Sequence, residues 1–188
     1  INLSTTYFKD TASVSETKTD GLKTFRLCDL NFNTELVKIN SDDNFIVINA
    51  DKVNTIISAS GSHVAINSNA QFNQLGSTGG SAKISSTGDN NQIVSTGDFS
   101  SIISSGIETH IASTGSNAQI VSSGRLTEIT SIGDDAHIIT VGRDTFVNSN
   151  GNNAVIVCEG RGTKVKAKKG SLITLTEWWT PSPYKGES

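Results

Sequence analysis

Methionine is absent from the 188 residues, and proline occurs only at Pro181 and Pro183. No long stretch has helical periodicity, which argues against a helical fold. No run approaches the ~18 consecutive apolar residues that a membrane-spanning helix requires, so membrane insertion is not expected. Charge of either sign is modest: 15 Lys and Arg stand against 18 Asp and Glu, a formal net charge of −3. That balance does not favour nucleic acid or an anionic membrane as partner. The chain opens at Ile1 with neither an initiator Met nor a signal-peptide pattern, which reads as a processed chain or an excised fragment. The length suits one domain.

Ser, Thr, Asn and Gly are plentiful, and the glycines are periodic. Gly61, Gly79, Gly88, Gly97, Gly106, Gly115, Gly124, Gly133, Gly142, Gly151 and Gly160 share a nine-residue register, interrupted only by Ala70. Five residues after each register position stands an aliphatic, from Ile66, Leu75 and Ile84 through Ile120 and Ile138 to Ile156 and Val165. A fixed short period is the mark of a solenoid. Glycine is expected to supply a left-handed or crowded backbone at each corner, and the aliphatic to point inward from a short strand. Strand alternation then places the third and seventh positions on the same inward side. These are small, as in Ala118, Thr127, Ser113 and Ser122, which suits a thin, flat coil.

The third position alternates as Thr109, Ala118, Thr127, Ala136, Thr145, Ala154, Thr163. Arg125, Arg143 and Arg161 fill the first position of alternate repeats only. The structural unit is therefore 18 residues with two strands and two corners, not a triangular coil of 27. The expected fold is an all-β parallel β-solenoid, β-roll-like, of about eight turns. Its organisation reads as an N-terminal cap at 1–33, the nonapeptide solenoid at 34–177 and a C-terminal tail at 178–188. Trp178 and Trp179 are expected to close the core. The inward Ser and Thr hydroxyls are expected to bond their equivalents one turn away or corner backbone groups. Cys28 and Cys158 lie about seven turns apart, roughly 34 Å at ~4.8 Å per turn, beyond disulfide reach.

The run Ser95-Thr96-Gly97 through Ser122-Ser123-Gly124, followed by Gly170-Ser171-Leu172-Ile173-Thr174-Leu175-Thr176-Glu177-Trp178, resembles a group of bacterial and phage proteins. Those carry Ser/Ala-Thr-Gly nonapeptide arrays closed by a Gly-Ser-x-φ-φ-Leu-x-Glu-aromatic segment. Leu172 stands where that group often has Trp. The resemblance covers residues 79–178 and implies architecture only, since the group has no established activity. The calcium-binding β-roll of secreted bacterial toxins and proteases has the same repeat length. Aligned on Ile93, its three glycine positions fall on Ser86, Thr87 and Asp89, and its aspartate on Asn91. The corner carboxylates that ligate calcium there are missing here, so no metal is expected.

No nucleophile elbow, phosphate loop or dinucleotide fingerprint appears, and His63, His110 and His137 lack zinc spacing. His110 and His137 are expected to point outward on opposite sheets. Asp134, Asp135 and Asp144 gather near Arg125 and Arg143 in the sequence, but the unbroken nine-residue spacing leaves no loops to build a substrate groove. The chain reads as no enzyme, with no cofactor. The Arg125, Arg143, Arg161 column is a candidate anion or glycan contact, or a solvated edge paired with Asp135, Asp144 or Glu128. The most informative outward feature is apolar. Ile103, Val121, Ile139 and Val157 recur every 18 residues, flanked by Val141 and Val155, and form a candidate interface with a second copy or another protein. The leading reading is a non-catalytic structural or interaction module. Alternatives are ice binding, through the outward column Ser60, Thr78, Thr96, Thr114, and a glycan-binding adhesin or phage-tail module.

Overall fold

A computed structural model describes residues 13–19, 22–28, 37–51 and 53–176. Trp178, Trp179 and the 178–188 tail lie outside the described residues, as does most of the 1–33 segment beyond its two strands.

The described residues form strands and turns without a helix, arranged as two sheets. β1 (Ser13–Thr19) and β2 (Leu22–Cys28) make an antiparallel hairpin, and β2 pairs in parallel with β4 (Ile46–Ala50). The ten-stranded sheet continues through β6 (Ala65–Ser68), β8 (Lys83–Ser86), β10 (Ser101–Ser104), β12 (Gln119–Ser122), β14 (His137–Thr140), β16 (Val155–Cys158) and β18 (Leu172–Leu175). The eight-stranded sheet holds β3 (Val37–Ser41), β5 (Thr55–Ala59), β7 (Gln74–Ser77), β9 (Gln92–Ser95), β11 (His110–Ser113), β13 (Glu128–Ser131), β15 (Phe146–Ser149) and β17 (Lys164–Ala167). Successive strands alternate between sheets, so β3 to β18 make eight turns of a parallel β-solenoid. Cys28 and Cys158 are on β2 and β16, seven strand spacings apart in one sheet.

Each rung is in register with the one 18 residues on, as in Ile102 with Ile120 and Ile138 with Ile156. Between β3 and β18 one spacing differs. Ile156 pairs with Ile173, an offset of 17, because the corner at Gly170 is one residue shorter. The core is a single file of aliphatics from each sheet. Ile66, Leu75, Ile84, Ile93, Ile102, Ile111, Ile120, Ile129, Ile138, Val147 and Ile156 are all buried. Full burial of one such side chain contributes roughly 1.5–3 kcal/mol.

Of the two roles expected of the register glycines, a left-handed or a crowded backbone, the structure shows crowding. None in the 61–160 register has a positive φ. The left-handed residue stands two positions later and is not glycine, except at Gly162 after Gly160. Phe45, Asn54, His63, Phe72, Ser81, Asn90, Phe99, Glu108, Asn117, Leu126, Asp135, Asp144 and Asn153 all have φ between 54° and 59°. Each such residue costs roughly 1–2 kcal/mol, and hydrogen bonds hold it there. The N–H of Phe99 donates to Ser116 O (2.9 Å), and that of Asn117 to Asp134 O (2.9 Å), with the equivalent bond at the corners from Phe45 to Asp144. Crowding is what requires glycine. A Cβ on Gly97 would overlap the Gly79 carbonyl, one on Gly115 the Gly97 carbonyl, and so along both corner columns.

The Thr/Ala alternation also has a structural reason. Asn73, Asn91, Thr109, Thr127, Thr145 and Thr163 line the corner that enters the eight-stranded sheet. There Ser122 Oγ donates to Thr127 Oγ1 (3.2 Å), which donates to Gly124 O (3.0 Å). Asn73 Nδ2 and Asn91 Nδ2 likewise donate to Ser68 Oγ and Ser86 Oγ. At the other corner the third position is Ala82, Ala118, Ala136 or Ala154. The serines before them, Ser77, Ser113, Ser131 and Ser149, are buried without a hydrogen-bond partner among the described residues. Ser100 replaces alanine once, and there Ser95 Oγ donates to it at 2.7 Å. From Ser68 to Thr163 no inward hydroxyl bonds its equivalent one turn away. Partners come from the next corner, five residues on, though Ser104 Oγ has none among the described residues. The asparagines reach across rungs, as the Asn73 N–H does to Asn91 Oδ1 (2.7 Å), and so does Thr163 Oγ1, which donates to Gly142 O (3.4 Å).

Candidate functional site

Parallel in-register stacking turns one outward residue per turn into a continuous column. Ile103 pairs with Val121, Val121 with Ile139, and Ile139 with Val157, all on the outer face of the ten-stranded sheet. Ile103 is 51% exposed, Val121 39% and Ile139 43%, while Val157 is half-buried. Val141 flanks the column at the end of β14, exposed, and Val155 at the start of β16, half-buried. The same column is polar in the earlier turns. Asn49, Asn67 and Ser85 occupy it, with Asn67 Nδ2 donating to Asn49 Oδ1 at 2.9 Å. The face therefore changes from amide and hydroxyl to aliphatic between β8 and β10.

Leu172, noted in the sequence only as standing where the resembled group often has Trp, extends this surface. The short corner at Gly170 sets it against Val155, where it is 64% exposed. Ile173 and Leu175 continue the inward columns of Ile156 and Cys158, and both are exposed at the last rung. The apolar corner residues Phe72, Phe99 and Leu126 also escaped notice. Their signal was the position two after each glycine, where the left-handed backbone turns the side chain out. Phe45 and His63, one rung apart at that position, stack with ring centroids 4.7 Å apart.

The arginine column exists, but its expected partners are elsewhere. Arg125, Arg143 and Arg161 stack at the corner entering the eight-stranded sheet, all exposed. Among the described residues none makes an ion pair. Glu128 Oε2 is 3.1 Å from His110 Nδ1. Asp135 lies at the opposite corner, where Asn153 Nδ2 donates to it. Asp144 shares the arginine corner, but its carboxylate lies against Gly162 of the next turn. Asp134 is also at the far corner. Its Oδ1 accepts the Asn152 N–H (2.7 Å) and Nδ2–H (2.9 Å), which holds its carboxyl below the usual range. Asp98 and Asp89 accept the backbone N–H of Ser116 and Ile107 in the same way. These aspartates tie rungs together, and the acid–arginine cluster suggested by the sequence is split between two corners.

His110 is exposed on the eight-stranded sheet and His137 on the ten-stranded one. His110, Glu128, Gln92, Val94, Ala112 and Thr130 border a shallow depression of about 250 Å³, opened by the small Ala112 side chain. An exposed ion pair of this kind contributes little. Cys158 is buried, and burial pushes its thiol up to about 11. Among the described residues no three His, Cys, Asp or Glu are grouped to hold a metal. Comparisons with protein-family models, curated proteins and solved structures returned no match.

Proposed function

We propose that this chain is a non-catalytic interaction module, a rigid β-solenoid that self-associates through the outer face of its ten-stranded sheet. The observation that carries the reading is the change along one column from Asn49, Asn67 and Ser85 to Ile103, Val121, Ile139 and Val157. Fold stability does not require aliphatics there, because they face away from the core. Their neighbours Ser101, Gln119, Ser105, Ser123 and Val141 carry no charge, and the ionisable groups at the column's edge are His137 beside Ile139 and Glu159 beside Val157. A largely uncharged apolar face meets a second copy with little like-charge repulsion, whereas the eight-stranded sheet displays Glu128, Lys164 and Lys166. Each fully covered side chain would contribute roughly 1.5–3 kcal/mol, set against the cost of association.

The test is sedimentation of the parent beside Val121→Asp/Ile139→Asp, with circular dichroism as the folding control. The parent is expected to self-associate and the folded variant to be monomeric. A monomeric parent, or a variant that associates equally, refutes the reading.

A second reading, ice binding, rests on one rank. Ser60, Thr78, Thr96 and Thr114 are all exposed at successive rung ends, where their N–H groups bond the previous rung, as in Thr96 to Ser77 O (3.0 Å). The rank ends at Ile132 and Asn150, and the neighbouring column of Gly76, Val94 and Ala112 supplies no second threonine file. Thermal hysteresis with crystal shaping would favour this reading over the first.

A further inference from the structure

We propose that a basic surface at the C-terminal end of the solenoid binds an acidic polysaccharide. Residues 143–169 hold six of the chain's 15 Lys and Arg and two of its 18 acids. The net −3 of the whole chain conceals this segregation. The surface has two arms that meet at Arg161. One runs along the corner through Arg143 to Arg125, one guanidinium per rung at ~4.8 Å spacing. The other crosses the outer face of β17 through Lys164, Lys166 and Lys168, about 13 Å along the strand, and reaches Lys169. All seven side chains are exposed.

Lysine on an edge strand discourages sheet-to-sheet pairing, and β17 is the last strand of its sheet. That accounts for Lys164, Lys166 and Lys168. It does not account for Arg125 and Arg143, which stand in interior rungs. Among the described residues, each acid near the surface has its own place. Asp144 lies against Gly162, Glu128 pairs with His110, and Asp134 accepts the Asn152 bonds while feeling Lys168. Glu159, exposed at the end of β16 just before the Arg161 corner, is the remaining acid. The arginines are thus left with unpaired donors. A guanidinium takes a carboxylate or sulfate through two parallel hydrogen bonds.

A ligand matching one cation per rung along a convex corner is linear and carries its charge periodically. An acidic polysaccharide has that form. Single-stranded nucleic acid binds through successive aromatic stacking platforms, and among the described residues Phe146, beside Lys164, is the one aromatic at this surface.

Affinity electrophoresis in gels containing polygalacturonate or heparin tests this, with neutral dextran as the blank. The parent should be retarded, less so as salt rises. Arg143→Gln/Arg161→Gln/Lys164→Gln/Lys166→Gln should bind at least tenfold more weakly, and Lys83→Gln, on the other sheet, like the parent. If the fourfold variant does not fold, Arg125→Gln/Arg143→Gln should still weaken binding severalfold. An unretarded parent overturns the proposal, as does a folded variant retarded like the parent. Tighter binding of a single-stranded oligonucleotide overturns it in favour of nucleic acid. Lys164 and Lys166 stand on β17, in the opposite sheet from Val121, so sedimentation of Lys164→Gln/Lys166→Gln reports self-association separately.

Discussion

Replacing Gly115 by alanine is the sharpest probe of how the rungs stack. The new Cβ would overlap the Gly97 carbonyl and sit 2.8 Å from the Asp98 nitrogen. Both obstacles are backbone, so no rotamer change relieves them. The corner is also held on each side, by Phe99 N–H to Ser116 O at 2.9 Å and Thr114 N–H to Ser95 O at 3.0 Å. Opening the rung to admit a methyl group strains well-packed surroundings by about 1–3 kcal/mol. One weakened hydrogen bond adds about 0.5–1.5 kcal/mol. The sum, about 2–4 kcal/mol, corresponds to a fall in Tm of roughly 5–15 °C for a chain of this size. The companion variant is Leu126→Gly, at φ 55° and 44% exposed. Glycine there relieves a left-handed cost of about 1–2 kcal/mol while adding about 0.5–1 kcal/mol of unfolded-state entropy. Its Tm should be unchanged or higher. Differential scanning calorimetry of the two variants beside the parent decides the matter. A Gly115→Ala protein that melts within a degree or two of the parent would refute the crowding argument. So would a Leu126→Gly protein that loses as much as Gly115→Ala.

Three further outcomes are expected. Ile120→Ala, mid-stack with Ile102 and Ile138 on either side, should cost roughly 2–5 kcal/mol in urea unfolding; a loss below about 1 kcal/mol would mean that the site collapses freely. Ser131→Ala should be neutral or stabilising, because its hydroxyl is buried without a partner, while Ser122→Ala, which breaks the bond to Thr127, should cost about 1 kcal/mol; equal effects would contradict the corner assignment. Cys158 should resist alkylation in the native state, read by peptide mapping. Its folded pKa is raised above the ordinary 9.0 to about 11, so the stability present below pH 9 is lost as pH rises towards 11. The melting temperature of the parent should therefore fall more steeply over that range than that of Cys158→Val, and parallel curves would count against it.

The nine-residue glycine register, the aliphatic five positions on and the 18-residue alternation determined the two-sheet coil before any coordinates. Those are local and periodic, and side-chain alternation along a strand follows from backbone geometry alone. The outward column of Ile103, Val121, Ile139 and Val157 was legible for the same reason, since one period places equal positions in one file. What tertiary structure decided lies between rungs. Only there does Gly115 meet the Gly97 carbonyl, so that the glycine is needed for closeness while Asn117 takes the left-handed turn. Within one turn, the fold of each corner pairs Ser122 with Thr127 while Ser131 faces Ala136 and has no partner among the described residues. Asp134 and Asp135 are nine and ten residues from Arg125 in the chain but at the opposite corner in space, which leaves the arginines without an acidic partner among the described residues. Contacts between turns depend on the exact approach of backbones 18 residues apart, and a one-dimensional pattern does not encode that distance.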